Sequence, residues 1–284
     1  MRGRKLKMKR LFIILCCGIL GCSTAPNQLS PSAQRVITQA EQANMTLHLY
    51  TTQKFVISAY ERLPETTPST IHVYIEGDGN SWKTRYKLSD NPTPRQPLAL
   101  ELASHDPHSH VIYLGRPCQY TPHTLDTACH SKYWSSHRYA PEVIESMDEI
   151  LTALKKKTHA THFVLIGFSG GASVATLLAS KRQDISSLIT VAGDLNHETL
   201  NQYHRTSPLI GSLNPTEVAS SLKYLTQHHW NGSKDRVVPV WIAEQFAKEI
   251  DNPACVHIHT LKGVSHHKGW VAHWDEILKE SLLR

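Results

Sequence analysis

Ser169 has the clearest chemical setting in this 284-residue chain. Residues 161–173 read Thr-His-Phe-Val-Leu-Ile-Gly-Phe-Ser-Gly-Gly-Ala-Ser. An apolar strand at 163–166 runs into Gly167-Phe168-Ser169-Gly170-Gly171, and a small-residue helix at 172–179 follows at once. A strand that reverses sharply into a helix holds the serine between them up as a nucleophile. The flanking glycines permit the strained turn and a close approach of helix to strand. Gly-x-Ser-x-Gly alone arises by chance in roughly one chain in ten of this length, so the surrounding sequence must decide. A serine nucleophile also needs a base for its proton, an acid to orient that base, and hydrogen-bond donors for the oxyanion.

Each requirement has candidates. Residues 230–239 read Trp-Asn-Gly-Ser-Lys-Asp-Arg-Val-Val-Pro: a strand ends, a Gly turn and Asp235 follow, and Val-Pro opens a helix. Asp194, at the end of the preceding strand in Ala192-Gly193-Asp194, is the competing acid. Between the last strand and the last helix stand Gly263-Val264-Ser265-His266-His267. An early strand ends in Ile75-Glu76-Gly77-Asp78-Gly79-Asn80.

In this order, and over residues 45–283, these segments resemble the α/β-hydrolase superfamily. The resemblance implies Ser169 as nucleophile and Asp235 as acid. It implies His266 as base, because Gly263 completes the Gly-x-x-His spacing. Asp194 and His267 stay open as alternatives. The backbone N–H groups of Gly170 and Asp78 are the implied oxyanion donors, with Glu76 standing where esterases of this type commonly carry histidine. The implied reaction transfers an acyl group to water through a Ser169 acyl-enzyme and calls for no cofactor. Carboxylic esters of small molecules are the leading substrates; peptides and thioesters fit the same triad. A surface-binding lipoprotein that keeps the fold without catalysis is the reading from another class, and the complete Ser/Asp/His set stands against it.

The elements that must hold these residues are legible from periodicity. Residues 45–50 and 55–60 read as strands around Thr51-Thr52-Gln53-Lys54, a hairpin. Further strands are expected at 70–76, 111–114, 187–192, 225–230 and 256–261. Helices are expected at 141–157, 239–250 and 271–283, the first with Val143, Ile144, Met147, Ile150, Leu151 and Leu154 on one face. Residues 195–220 are polar and turn-rich, without a long apolar lid, which favours small or water-soluble acyl substrates. A hairpin followed by alternating strands and helices implies an α/β fold, a mostly parallel sheet covered on both faces. By resemblance the α/β-hydrolase sheet has about eight strands.

The start of the chain reads as an address. Six of the first ten residues are basic, and 11–20 form an apolar run too short to span a bilayer but right for a signal-peptide core. Ile19-Leu20-Gly21-Cys22 resembles the lipobox of bacterial lipoproteins, with Cys22 the acylated residue of the mature chain. A plain secretory signal is the alternative. The expected organisation is a signal peptide at 1–22, a tether and lead-in at 23–44, and one α/β-hydrolase domain at 45–284. Several acyl chains on Cys22 would anchor it stably to the lipid bilayer of the cell envelope. Ser23 rather than Asp points, by the same resemblance, to the outer membrane.

The net charge of +6 lies wholly in residues 1–10; beyond them 24 basic side chains balance 24 acidic ones. No nucleic-acid partner is expected. In an oxidising compartment Cys118 and Cys129 are a disulfide candidate, closing a short loop worth about 2–3 kcal/mol. Cys255 reads as a buried free cysteine. Gly115-Arg116-Pro117-Cys118-Gln119-Tyr120 with Tyr133-Trp134 looks like a feature of periplasmic lipoprotein-type members, and this loop would wall the acyl pocket. His105, His108 and His110 lack convincing ligand spacing, and His257 and His259 share one strand face, so metal binding is disfavoured.

Overall fold

A computed structural model describes residues 31–282 apart from residue 123. The expected signal peptide, Cys22 and most of the tether lie outside the described residues. The lead-in carries a helix that the sequence reading missed, α1 (Pro31–Gln42), with Val36 and Ala40 buried. It is polar on most of its surface, so its apolar periodicity is thin.

Ten strands follow in chain order: β1 (Thr46–Thr51), β2 (Val56–Arg62), β3 (Thr70–Ile75), β4 (Trp82–Thr84), β5 (Lys87–Leu88), β6 (Val111–Leu114), β7 (His162–Phe168), β8 (Ile185–Val191), β9 (Gln227–Gly232) and β10 (Val256–Leu261). Eight form one sheet in the order β1-β2-β6-β3-β7-β8-β9-β10. Strand β2 alone runs against its neighbours; every other pairing in the sheet is parallel. The expected N-terminal hairpin is β1–β2, with Thr46 opposite Glu61 and Thr51 opposite Val56. Strands β4 and β5 make a separate small ribbon.

Alternation along the central strands builds two cores. Ile71, Val73 and Ile75 of β3, Ile112 and Leu114 of β6, and Phe163 and Leu165 of β7 face one side. There they meet α3 (Pro141–Thr158), α4 (Gly170–Lys181) and α6 (Trp241–Lys248). Tyr74, Tyr113, Val164, Ile166 and Phe168 face the other side, under α1, α2 (Leu98–Ser104) and α7 (Trp274–Leu282). Side chains of successive strand residues point to opposite faces, so a strand covered on both sides must be apolar at nearly every position. Burying these side chains supplies roughly 1.5–3 kcal/mol each before conformational entropy is counted.

Helix α3 shows how the sequence sets its ends. Pro141 starts it with φ already fixed, and Lys155, Lys156 and Lys157 lie in its last turn, where the carbonyl ends are negative. The stretch 195–220 is more ordered than its polarity suggests. It holds α5 (His197–His204), capped by Asn196, whose side chain accepts the Thr199 N–H, and a 3₁₀ segment at Pro215–Leu222. Leu195, Leu200 and Leu209 from this stretch, and Leu222 just beyond it, are buried in the first core. Cys255 is free but only partly buried, in a 3₁₀ turn before β10; its sulfur lies 3.1 Å from Asn252 Nδ2. The polar turn leaves it less covered than the apolar strand beyond it suggested.

Candidate active site

All the candidate site residues stand at the carboxyl ends of parallel strands. Asp78 follows β3, Ser169 follows β7, Asp194 follows β8, Asp235 follows β9 and His266 follows β10. Crevices outside this edge of an open parallel sheet are where such folds form sites.

Ser169 has φ 51° and ψ −120°, a conformation costly for a residue with a side chain. Three backbone hydrogen bonds impose it. Its N–H donates to the Val191 carbonyl at 2.9 Å, and its own carbonyl accepts from Ala172 at 3.0 Å and Asp194 at 3.1 Å. The turn also needs glycine at 171, where a Cβ would stand 2.2 Å from the Ile75 carbonyl oxygen.

His266 Nε2 lies 3.0 Å from Ser169 Oγ, and its Nδ1 lies 2.8 Å from Asp235 Oδ2. With the ring proton on Nδ1, the imidazole donates to Asp235 and its free Nε2 accepts the serine hydroxyl. The Asp235 side chain is completely buried. Its other oxygen accepts the N–H groups of Val237 at 2.8 Å and Val238 at 2.9 Å, so the loop opening α6 orients it. Sequence separations of 97 and 31 residues are closed in this arrangement.

The two alternatives are placed elsewhere. His267 is exposed, and its ring packs edge-on against Phe168 at 5.3 Å. Asp194 Oδ2 accepts the Tyr139 hydroxyl at 3.2 Å. Burial, then the charge of Asp78, raises the Asp194 carboxyl to about 7.

The loop after β3 carries the second group. Neither the Gly170 N–H nor the Asp78 N–H has a protein acceptor among the described residues. The two residues touch: a Cβ on Gly170 would lie 2.1 Å from Asp78 Oδ1. Glu76, in the position expected for histidine, supports the loop from below. It accepts the Gly77 N–H at 2.9 Å and the Tyr113 hydroxyl at 3.0 Å. Burial raises its carboxyl to about 7.

Between its ordinary value of 4.5 and about 7, Glu76 keeps a proton in the folded protein that the unfolded chain has released. Stability from this group therefore falls as pH rises through that window, and the loss is complete above it. Thermal melts of wild type and Glu76→Gln should coincide near about pH 4. By about pH 8 the variant should melt higher. Equal melting at both pH values would count against a buried proton on Glu76.

Cys118 and Cys129 are joined as a disulfide, with Cα atoms 5.4 Å apart. The loop they close reaches the β3 loop through Gln119, whose Nε2 donates to the Gly77 carbonyl at 3.0 Å. His257 and His259, singled out from sequence, stack with His228, and His259 also lies 3.9 Å from Trp230, ring to ring. A cavity of about 490 Å³ opens over Ser169 and His266, bordered by Asp78, Asn80, Phe168 and Val237. It shares Arg95, Gln96 and His267 with a second cavity of about 690 Å³ between α1 and α2.

No protein-family model matches the sequence, and no curated protein matches it. Solved structures do. The Pyrococcus furiosus esterase Pf2001 is 16% identical, covering 85% of this chain and 95% of its own, with a TM-score of 0.58. Est1E from Butyrivibrio proteoclasticus is 16% identical, covering 84% and 97%, with a TM-score of 0.56. An alpha-beta serine hydrolase homologue from Coxiella burnetii is 13% identical, covering 84% and 96%, with a TM-score of 0.55. At these identities the similarity establishes architecture: the chain has the α/β-hydrolase fold.

Proposed function

We propose that this protein is a serine hydrolase that cleaves carboxylic esters through a Ser169 acyl-enzyme. The observation that carries the reading is the continuous relay Ser169 Oγ–His266–Asp235, with contacts of 3.0 and 2.8 Å, at the mouth of a cavity. Ser169 Oγ attacks the acyl carbon while His266 Nε2 takes its proton. The carbonyl pair moves to oxygen, facing the N–H groups of Gly170 and Asp78. The tetrahedral intermediate collapses as His266 returns the proton to the leaving alkoxide. Water, deprotonated by the same nitrogen, then releases the acid. Asp235 keeps the Nδ1 proton in place and stabilises the transient imidazolium. The esterases among similar folds agree with an ester substrate.

The same reading includes tethering through an acylated Cys22, supported by the basic start, the apolar run and the lipobox-like Ile19-Leu20-Gly21-Cys22. Among the described residues no helix is long and apolar enough to cross a membrane. The direct test is a fluorophosphonate probe on the purified protein. Wild type should be labelled, and folded Ser169→Ala should not be. A folded wild type that stays unlabelled and hydrolyses no 4-nitrophenyl ester would sink the enzyme reading in favour of a binding protein.

A further inference from the structure

Behind the β3 loop lies a charged cluster that the reaction steps above do not use. Asp78 Oδ2 accepts from Arg138 Nη1, and its Oδ1 lies 3.4 Å from Arg116 Nη1. The Tyr139 hydroxyl stands 3.4 Å from the same Oδ1 and reaches on to Asp194. Both arginines are themselves held. Arg116 donates to the Arg138 carbonyl and lies over the Tyr139 ring at 5.2 Å, while Arg138 Nε donates to the Ser135 carbonyl at 3.0 Å. Arg116 is only 4% exposed. Long cationic side chains are rarely buried without a task, because desolvating them is costly.

The position of Asp78 supplies the task. Asp78 borders the cavity over Ser169, its N–H has no protein acceptor among the described residues, and its carboxylate lies against Gly170, whose N–H has none either. A bare carboxylate at this spot would repel the negative charge that forms on the substrate oxygen. It would also be free to turn the β3 loop. Two guanidinium groups more than offset that charge and fix the rotamer at once. Burial alone would raise the Asp78 carboxyl, but Arg138 and then Arg116 outweigh it and keep it ionised.

We propose that Arg138 and Arg116 are positioning residues of the oxyanion site. By clamping and neutralising the Asp78 carboxylate, they aim the Asp78 N–H and leave the site electrostatically open to an oxyanion. Arg116 stands two residues before Cys118, so the chain entering the disulfide loop reaches the β3 loop at Asp78 as well as at Gly77, while Arg138 comes from the segment just ahead of α3. This inference rests on the serine hydrolase reading.

The test uses folded full-length protein, 4-nitrophenyl acetate and 2,2,2-trifluoroacetophenone. The ketone takes Ser169 Oγ at its carbonyl carbon; the C=O pair becomes the hemiketal oxyanion and the serine proton passes to His266. Arg138→Gln should lower kcat by about 100-fold with KM within about three-fold, and weaken the ketone by a similar factor. Arg138→Lys, which keeps the charge but loses the fork, should lose about ten-fold in both. Adding Asp78→Asn to Arg138→Gln should recover about ten-fold, because the carboxylate left with Arg116 alone, at 3.4 Å, is gone. Unchanged kcat and ketone affinity in Arg138→Gln would overturn the inference, as would a double variant no better than the single one. Should Arg138→Gln fail to fold, an Arg138→Lys protein equal to wild type in both measurements would overturn it. Wild type that neither hydrolyses the ester nor takes a fluorophosphonate would overturn the proposed function, and the inference with it.

Discussion

His266→Ala should lower kcat for ester hydrolysis by about 10⁶-fold, while His267→Ala should cost less than about ten-fold. The contrast follows from adjacent residues with different geometry. His266 Nε2 lies 3.0 Å from Ser169 Oγ, and its other nitrogen is bound to a buried carboxylate. Removing it leaves the serine proton with no acceptor, and the oxyanion donors alone give only a small residual rate. The His267 ring stands 4.8 Å from that of His266 and packs on Phe168, so its loss changes the wall of the cavity. Hydrolysis of 4-nitrophenyl acetate, normalised to folded protein, separates the two. Equal losses would mean that either imidazole can serve, and the relay as described would be wrong.

Asp235→Asn should cost about 10⁴-fold in kcat with little change in KM. The carboxylate accepts three N–H groups: the His266 ring on one oxygen, and Val237 and Val238 on the other. An amide can accept on one side only. It either turns its NH₂ toward the Val237 and Val238 donors or presents it to the imidazole. In the second case His266 changes tautomer and Nε2 carries the proton it should receive. Asp194→Asn keeps an oxygen for Tyr139 and should remain within about ten-fold of wild type. Measuring kcat for both variants decides between the acids. A larger loss at 194 than at 235 would transfer the role to the strand β8 position.

Much of this was legible in the chain. Strands β6 and β10 lie at the expected positions, and α3 ends one residue beyond expectation, because strong apolar periodicity and clear turn signals bound them. Elements with weak local signals were missed. Helix α2 has seven residues, five of them buried, so no polar face gives it a helical period. Helix α5 is polar almost throughout and forms because Asn196 caps it and Leu200 docks on the core. The Ser169, His266 and Asp235 positions were readable because each sits at a strand-to-helix junction with a spacing of its own. The Asp78 clamp was not. Arg116 and Arg138 lie 38 and 60 residues from Asp78, and nothing local distinguishes two arginines that will be buried from two that will stay in water. The segment around Arg116 drew notice from sequence, but its task emerges only where three loops meet.

Helix α1 has one further consequence. Arg35 lies on the wall of the 690 Å³ cavity, which runs into the one above Ser169. The chain ahead of residue 31 therefore joins the fold beside a cavity that adjoins the one over Ser169. With Cys22 acylated as proposed, nine peptide units separate the anchor from Pro31, a leash of at most about 32 Å. Four residues of helix add roughly 6 Å to reach Arg35. The entrance would then patrol a shell only one protein diameter deep. Under that tether, only substrate reaching this shell would meet Ser169.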